Sequence, residues 1–181
     1  MIEVEKKALF DKSDKERIIQ AILAQPGVVD LGENNTDSVF YITPNELIKV
    51  QTQISKGTAK IAWKSGGNNG ASTRREIELP IAPADNVKAE LLVQAMLPDA
   101  QRFPTKQLRH DYRVGDLTVS VKYSDEWEHH LEIDRNVESE ADVLNAAEQI
   151  ESLAKALGLN LLSDSEEKVF VTKLIAKRNQ S

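Results

Sequence analysis

Apolar and polar residues alternate along most of this chain, which is the pattern of β-strands that bury one face. In the first such segment Ile2, Val4 and Ala8 alternate with charged residues. Similar short segments follow, separated by glycine, proline and asparagine; the whole set spans residues 2–10, 38–43, 47–51, 59–64, 73–81, 107–114, 117–123 and 129–135. Because most of the connections are too short for a helical crossover, we expect antiparallel pairing.

Apolar residues follow a helical period in four other places. One stripe lies between residues 18 and 23, directly after the first strand, and another runs from Val87 to Met96. Two more follow Ser139 and end near Lys177. The sequence therefore predicts an α+β fold of seven or eight antiparallel strands with helices between and after them. At this length we expect a single domain over residues 1–181.

Charged side chains gather on the non-core faces of the predicted strands. Residues two apart in a strand project from the same face, so Glu3, Glu5 and Lys7 share one. Neighbouring carboxylates repel unless cations separate them, and yet three strands each carry an acidic pair: Glu3/Glu5, Glu76/Glu78 and Glu132/Asp134. Other strands offer lysine and arginine. The pattern indicates an enclosed surface of mixed charge for a hard cation and phosphate oxygens, although each strand alone also fits an ordinary solvent-facing sheet.

Composition excludes several other classes of function. The net charge of −6 argues against a general nucleic-acid binder, which needs a basic excess. Cysteine is missing from the sequence, so disulfides, thiolate metal sites and a cysteine nucleophile are excluded. The first residues are charged where a signal peptide would be apolar, and no apolar run has membrane-spanning length. We expect a cytoplasmic protein without membrane partners, as a monomer or a homodimer.

The N-terminal segment Glu3-Val4-Glu5-Lys6-Lys7 resembles the ExExK signature of the CYTH family, also called triphosphate tunnel metalloenzymes. This family includes class IV adenylate cyclases, thiamine triphosphatases and inorganic tripolyphosphatases. Later segments are similar in order as well: 59–64 resembles the strand that ends in a phosphate-binding lysine, 74–78 the R-x-E-x-E strand, and 131–134 the late acidic strand. The resemblance covers about residues 1–175.

The resemblance implies a closed or nearly closed tunnel of eight antiparallel strands, with the C-terminal helices of about 139–177 packed on the barrel. It implies a triphosphate-containing small molecule as ligand and Mg²⁺ or Mn²⁺ as cofactor. The residues implied for catalysis are Glu3, Glu5 and Lys7; for phosphate binding, Lys7, Lys49, Lys64, Arg74 and Arg109; and for the metal, Glu3, Glu5, Glu76, Glu78, Glu132 and Asp134.

Several positions depart from the family pattern. Lys49 and Gln51 lie where an arginine pair is common, and a lysine cannot form the bidentate fork of arginine. Gln107 stands near the place of a lysine, and Lys122 near that of an acidic residue. Three functions therefore stay open: metal-dependent hydrolysis of tripolyphosphate or of an organic or nucleoside triphosphate, cyclic AMP synthesis by a class IV adenylate cyclase, and polyphosphate or nucleotide binding without turnover.

Three smaller features carry weaker signals. His130 shares a face with the acidic residues beside it and is either a site residue or an ordinary strand residue. Trp127 is expected to pack in the core or at the rim. The glycine-rich segment Gly66–Gly70 indicates a hairpin loop rather than a phosphate-binding loop, because no helix begins after it.

Overall fold

The computed structural model describes residues 1–66 and 72–178. Within them lie nine strands: β1 (Ile2–Leu9), β2 (Val29–Glu33), β3 (Thr36–Ile42), β4 (Glu46–Gln53), β5 (Thr58–Ser65), β6 (Thr73–Ile81), β7 (Gln101–Val114), β8 (Leu117–Ser124) and β9 (Glu128–Val137). The same residues form four α-helices: α1 (Lys15–Leu23), α2 (Asn86–Met96), α3 (Val143–Ala156) and α4 (Asp164–Arg178). The α+β class predicted from the sequence is confirmed.

The strands close into an antiparallel barrel with eight positions. Around the barrel the order is β3, β4, β5, β6, β1, β9, β8 and β7, and β7 then pairs with β3 again. The long strand β7 makes this closure: it pairs with β3 from Gln101 to Gln107 and with β8 from Leu108 to Val114. Strand β2 pairs with β7 in line with β3, so these two short strands share one position. The predicted closed barrel of eight antiparallel strands is confirmed.

The apolar strand residues that form the two core clusters point outward and lie under the helices. Helices α1 and α3 cover β1, β8 and β9, where Val4, Ile133 and Ile150 are fully buried. Helix α2 covers β3 and β4, with Val93 and Val50 in one cluster. Burying each such side chain contributes about 1.5–3 kcal/mol. Because side chains alternate along a strand, the polar residues of the same strands fill the barrel interior.

The sequence pattern missed strand β2 and the first half of β7. In β2 the pairing shifts between Asp30 and Gly32, and most of its residues are exposed, so no regular alternation marks the strand. Gly32 has φ +77°, a conformation that glycine adopts without strain. The early part of β7 contains Pro104, which is unusual inside a strand and weakens the signal. The predicted loop Gly66–Gly70 lies, from residue 67 onward, outside the described residues.

Helix α4 lies against the barrel opening that Lys7 and Trp127 line. The Phe170 ring lies 4.6 Å from that of Trp127, and Val171 is buried. Across residues 1–66 and 72–178, none of the helices combines the length and the apolar character that crossing a membrane requires.

Candidate functional site

A cavity of about 140 Å³ lies inside the barrel. Among the described residues, its lining includes six basic side chains, Lys7, Lys49, Lys64, Arg74, Arg109 and Lys122, and three carboxylates, Glu5, Glu132 and Glu167. Enclosed cations are costly unless anions compensate them. The cavity is therefore suited to an anionic ligand.

Lys7 lies at the opening covered by helix α4. Its Nζ donates hydrogen bonds to Glu5 Oε1 at 2.5 Å and to Glu167 Oε1 at 2.8 Å. The same Nζ lies 5.7 Å from the centre of the Trp127 ring. Burial opposes the charge of Lys7, but Glu5, Glu132 and Glu167 outweigh it and raise the pKa of Lys7 above its ordinary value. Lys7 is thus a fixed cation inside the barrel.

Lys64, on β5, links the carboxylates of β1 and β6. Its Nζ forms an ion pair with Glu3 and lies 3.9 Å from Glu5 and 3.8 Å from Glu76. Burial opposes this charge too, but Glu5, Glu3 and Glu76 raise the pKa of Lys64. Burial also raises the pKa of Glu76 to about 7, although the charge of Lys64 opposes the shift. Lys64 therefore partly compensates the negative charge of three carboxylates.

The acidic residues of β9 face those of β1 across the sheet. Asp134 pairs in register with Glu5. Burial, and then the charges of Glu5 and Glu3, raise the pKa of Asp134 to about 7. Glu132 differs, because it forms an ion pair with the buried Lys122. Burial alone would raise the pKa of Glu132, but Lys122 and Lys7 help to hold it at about 2. Asp134 is thus a carboxyl group crowded by like charges.

Lys49 is the least compensated cation that lines the cavity. None of the described carboxylates lies within 4.0 Å of its Nζ, which instead lies 5.9 Å from the centre of the Phe40 ring. Burial, and then the charges of Lys64, Lys60 and Lys122, lower the pKa of Lys49 to about 7. An entering anion would gain an ion pair here without breaking an existing one.

One side of the cavity is apolar. Phe40 and Phe103 pair across β3 and β7, and Ile42 and Leu47 pair across β3 and β4. All four side chains line the cavity together with Val171 and Leu174 of α4. The charged and apolar walls could therefore hold different parts of one ligand.

The sequence profile of the CYTH domain matches residues 1–167. The chain belongs to the CYTH family. The search of curated protein sequences gave no match. The CYTH profile thus agrees with the resemblance carried by the ExExK segment.

Solved structures of similar fold include three informative ones. A protein of Pyrococcus horikoshii OT3 has 19% identity and a TM-score of 0.72, covering 87% of this chain and 91% of its own. A Vibrio parahaemolyticus protein, provisionally assigned as an adenylate cyclase, has 18% identity and a TM-score of 0.69, with 92% of each chain covered. A candidate adenylyl cyclase from Hippeastrum with a dominant triphosphatase activity has 14% identity and a TM-score of 0.60, covering 88% of this chain and 89% of its own. At these identities the likeness shows a shared fold.

The barrel brings most of the residues expected from the CYTH resemblance into one interior. Lining the cavity are Glu5, Lys7, Lys49, Lys64, Arg74, Arg109 and Glu132. Glu3 and Glu76 lie behind this lining, at Lys64, and Asp134 lies beside Glu5. Glu78 stands apart from them: it forms an ion pair with Lys60, and its side chain is 38% exposed.

Two positions that depart from the CYTH pattern, Gln51 and Gln107, and the histidine His130 have different surroundings in the barrel. Gln51 is buried and lines the cavity, and its Nε2 donates a 3.0 Å hydrogen bond to Ser38 Oγ on the neighbouring strand. Gln107 lines the cavity. His130 is buried beside Trp127, and burial lowers its pKa to about 4, so it is neutral at pH 7.

Some cavity residues were missed or undervalued by sequence reasoning. Lys122 was noted only as a departure, although it is a buried cation inside the barrel. Trp127 was assigned to packing, and it also lines the cavity. Glu167 was absent from the predicted set, because a helix period alone does not reveal which side chain reaches into a barrel. The alternation of β8 did contain a signal for Lys122, since it shares a face with Ser120 and Ser124.

Proposed function

We propose that this CYTH protein hydrolyses a triphosphate substrate inside its barrel with the help of a divalent metal ion. The observation that carries the proposal is the imbalance of the cavity lining, where basic side chains outnumber carboxylates and Lys49 lacks a carboxylate within 4.0 Å among the described residues. A polyanion of three phosphates would compensate these charges.

The phosphate-binding residues in this proposal are Lys7, Lys49, Lys64, Arg74 and Arg109. Lys49, Lys64, Arg74 and Lys7 lie on four consecutive strands of the barrel, β4, β5, β6 and β1, whereas Arg109 lies apart from them on β7. Arg109 has the planar fork that suits two phosphate oxygens, whereas the lysines act as point charges. Together they would orient the phosphate chain and stabilise charge that develops on its oxygens.

The carboxylates fit a hard divalent cation by their chemistry. Mg²⁺ and Mn²⁺ prefer oxygen donors. Burial, and then the charges of Glu5 and Glu3, raise the pKa of Asp134, and a bound cation would relieve the repulsion among these three carboxylates. Within residues 1–66 and 72–178, however, no three acidic or histidine side chains form a ready-made metal site. The nearby lysines engage most of these carboxylates, so metal binding would require some ion pairs to rearrange.

The metal-binding residues proposed are Glu3, Glu5, Glu76, Glu132 and Asp134, with Glu78 as the peripheral member. When bound, a divalent ion polarises a phosphoryl oxygen and lowers the pKa of water. Glu5 stands at the centre of this set, since Lys7 and Lys64 both contact it. Burial alone would raise its pKa, but Lys7, Lys64 and Lys122 hold the pKa of Glu5 well below its ordinary value. Glu5 is therefore an anion at neutral pH.

A class IV adenylate cyclase is the second candidate. The apolar wall of Phe40, Ile42, Leu47 and Phe103 favours a substrate with an organic substituent, which tripolyphosphate lacks. Both a nucleoside triphosphatase and a cyclase would use such a wall. The two differ in the attacking group and in the phosphorus attacked: water at the terminal phosphorus releases phosphate, whereas the ribose 3′-hydroxyl at the α-phosphorus forms cyclic AMP and releases pyrophosphate. The products therefore distinguish them.

The third candidate is a binding protein without turnover. It is favoured by Gln51, a neutral side chain of the cavity lining whose amide already donates a hydrogen bond to Ser38. It is also favoured by the ion pair of Glu132 with Lys122, which reduces the charge available for a metal.

The test combines product analysis with one active-site variant. Purified protein is incubated with tripolyphosphate, ATP and thiamine triphosphate, with Mg²⁺ or Mn²⁺, and phosphate, ADP, AMP and cyclic AMP are quantified. We expect phosphate release by the wild type and its loss in Glu5→Gln. Cyclic AMP from ATP would support the cyclase, and tight calorimetric binding without products would support the binding protein. Equal, background-level turnover by wild type and Glu5→Gln would refute catalysis.

A further inference from the structure

Asp111 is a buried carboxylate inside the barrel that lies behind Arg109 instead of lining the cavity. It is 3% exposed. Its Oδ1 accepts hydrogen bonds from Arg109 Nε at 2.5 Å and from Ser120 Oγ at 2.8 Å, and its Oδ2 accepts one from Asn34 Nδ2 at 2.8 Å. Three donors from three parts of the chain thus fix this carboxylate.

The backbone of Arg109 is held by the same region. Asn34 and Asn35 connect β2 to β3. The Arg109 amide donates to Asn35 Oδ1 at 2.8 Å, and the Arg109 carbonyl accepts from the Asn34 amide at 2.8 Å. Gln53 Nε2 in turn donates to Asn34 Oδ1 at 3.0 Å. Both the main chain and the side chain of Arg109 are therefore restrained.

These bonds leave the end of the guanidinium group for the cavity. The bond to Asp111 uses Nε of Arg109, and neither terminal nitrogen donates to another side chain in the described parts of the chain. Arg109 lines the cavity. A guanidinium held through Nε presents its two terminal nitrogens as a planar fork, which matches two oxygens of one phosphate.

We propose that Asp111 is a positioning residue that orients the guanidinium of Arg109 for bidentate binding of a phosphate group. This inference rests on the proposed function, because it takes the cavity to be the phosphate site. It assigns Asp111, with Asn34 and Ser120 behind it, to the organisation of the site and not to contact with substrate. Charge supports the pairing as well: burial alone would raise the pKa of Asp111, but Arg109 outweighs it and lowers the pKa.

The positioning role and simple electrostatics predict opposite effects of replacing Asp111, so one substitution tests between them. Removing a carboxylate near the cavity should strengthen the binding of an anion. If Asp111 positions Arg109, Asp111→Asn should instead weaken tripolyphosphate binding, by about ten-fold, because the fork is no longer held in place. The measurement is titration calorimetry with tripolyphosphate. Asp37→Asn, on the exposed outer face of β3, is the matched control and should leave affinity unchanged.

A double-mutant cycle separates positioning from a general structural role. Arg109→Gln, Asp111→Asn and the double variant are compared by calorimetry. If Asp111 acts through Arg109, its replacement should cost no further affinity once Arg109 is gone. An equal loss of affinity in both backgrounds, or tighter binding by Asp111→Asn, would overturn the proposal. Ser120→Ala serves as the substitute variant if Asp111→Asn fails to fold. It removes one hydrogen-bond donor to Asp111 and, as a milder change, should also weaken tripolyphosphate binding.

An NMR measurement distinguishes failure of the positioning role of Asp111 from failure of the proposed function. In the ligand-free protein, the Arg109 Nε–H resonance should be visible by NMR and slow to exchange with water, and it should be lost in Asp111→Asn. If the wild type binds no tripolyphosphate, the proposed function fails, and this resonance still decides whether Asp111 fixes Arg109. An Arg109 resonance that exchanges equally fast in wild type and variant would contradict the inference.

Discussion

The Nζ of Lys7 lies 2.8 Å from Oε1 of Glu167, and this buried ion pair joins the first strand of the barrel to helix α4. The carboxylate of Glu167 thus pairs with Lys7, which under the proposed function binds a phosphate group. Beside this pair, Phe170 packs on Trp127, so both polar and apolar contacts hold the helix. A phosphate that binds Lys7 must therefore compete with a side chain of the protein itself.

Replacing Glu167 by glutamine should strengthen phosphate binding. The amide still fits the space, but a neutral acceptor binds a lysine less strongly than a carboxylate. We expect tripolyphosphate affinity to rise about three- to ten-fold in Glu167→Gln, measured by titration calorimetry. Glu148→Gln, on the exposed face of α3, removes the same charge far from the cavity and should leave affinity unchanged. Unchanged or weaker binding by Glu167→Gln would show that Glu167 does not compete with the ligand.

Lys49 should make tripolyphosphate binding dependent on pH near neutrality. Its pKa is about 7 in the free protein, and a bound anion raises the pKa of a lysine. The contribution of Lys49 to affinity is therefore full below pH 7 and falls as the pH rises above 7. Calorimetry between pH 6 and 9 should show this fall in the wild type and a flatter profile in Lys49→Arg, because a guanidinium stays charged.

Loss of the charge at Lys49 should weaken binding most strongly below pH 7, where Lys49 is charged in the free protein. Lys49→Gln should raise the dissociation constant about ten-fold or more at pH 6.5, the expected cost of one charge-assisted contact. Lys106→Gln removes an exposed lysine from the outer face of β7 and serves as the control. If the affinity of the wild type and of Lys49→Arg depends on pH in the same way, a group other than Lys49 causes the pH dependence.

The barrel and much of its interior were predictable from the sequence because alternation fixes which residues share a face. Glu3, Glu5 and Lys7 had to project together once β1 was recognised, and β1 carried the family signature as well. What alternation cannot give is the distance across the barrel. The shared position of Lys64 among carboxylates of two other strands depends on the register of β5 and β6, which the sequence does not state.

Contacts between distant segments were also beyond the sequence. Glu167 and Lys7 are 160 residues apart, and no local pattern connects them. Asp111 stood in a recognised strand, but its importance depends on the β2–β3 connection, and β2 was missed because its pairing is irregular. In both cases tertiary packing, not local preference, selects the functional neighbour.

Asp134 should make the metal-free protein less stable as the pH rises. Its pKa is about 7 in the folded protein and about 4 in an unfolded chain. Between these values the folded state binds more protons than the unfolded state, so the free energy of unfolding falls as the pH rises from about 4 to 7. The full loss is on the order of 2–4 kcal/mol. Asp134→Asn removes the titrating group and with it this loss of stability. In the presence of a chelator, the variant should therefore be more stable than the wild type, by a larger margin at pH 8 than at pH 5.

Chemical denaturation of wild type and Asp134→Asn at the two pH values measures this difference. Asp99→Asn, an exposed position after α2, is the control and should have a small effect that is equal at both pH values. Added Mn²⁺ should raise the melting temperature of the wild type more than that of Asp134→Asn, since a cation that binds only the folded state stabilises it. If Asp134→Asn instead lowers stability equally at pH 5 and pH 8, the pKa of Asp134 is not raised in the folded protein and the prediction is wrong.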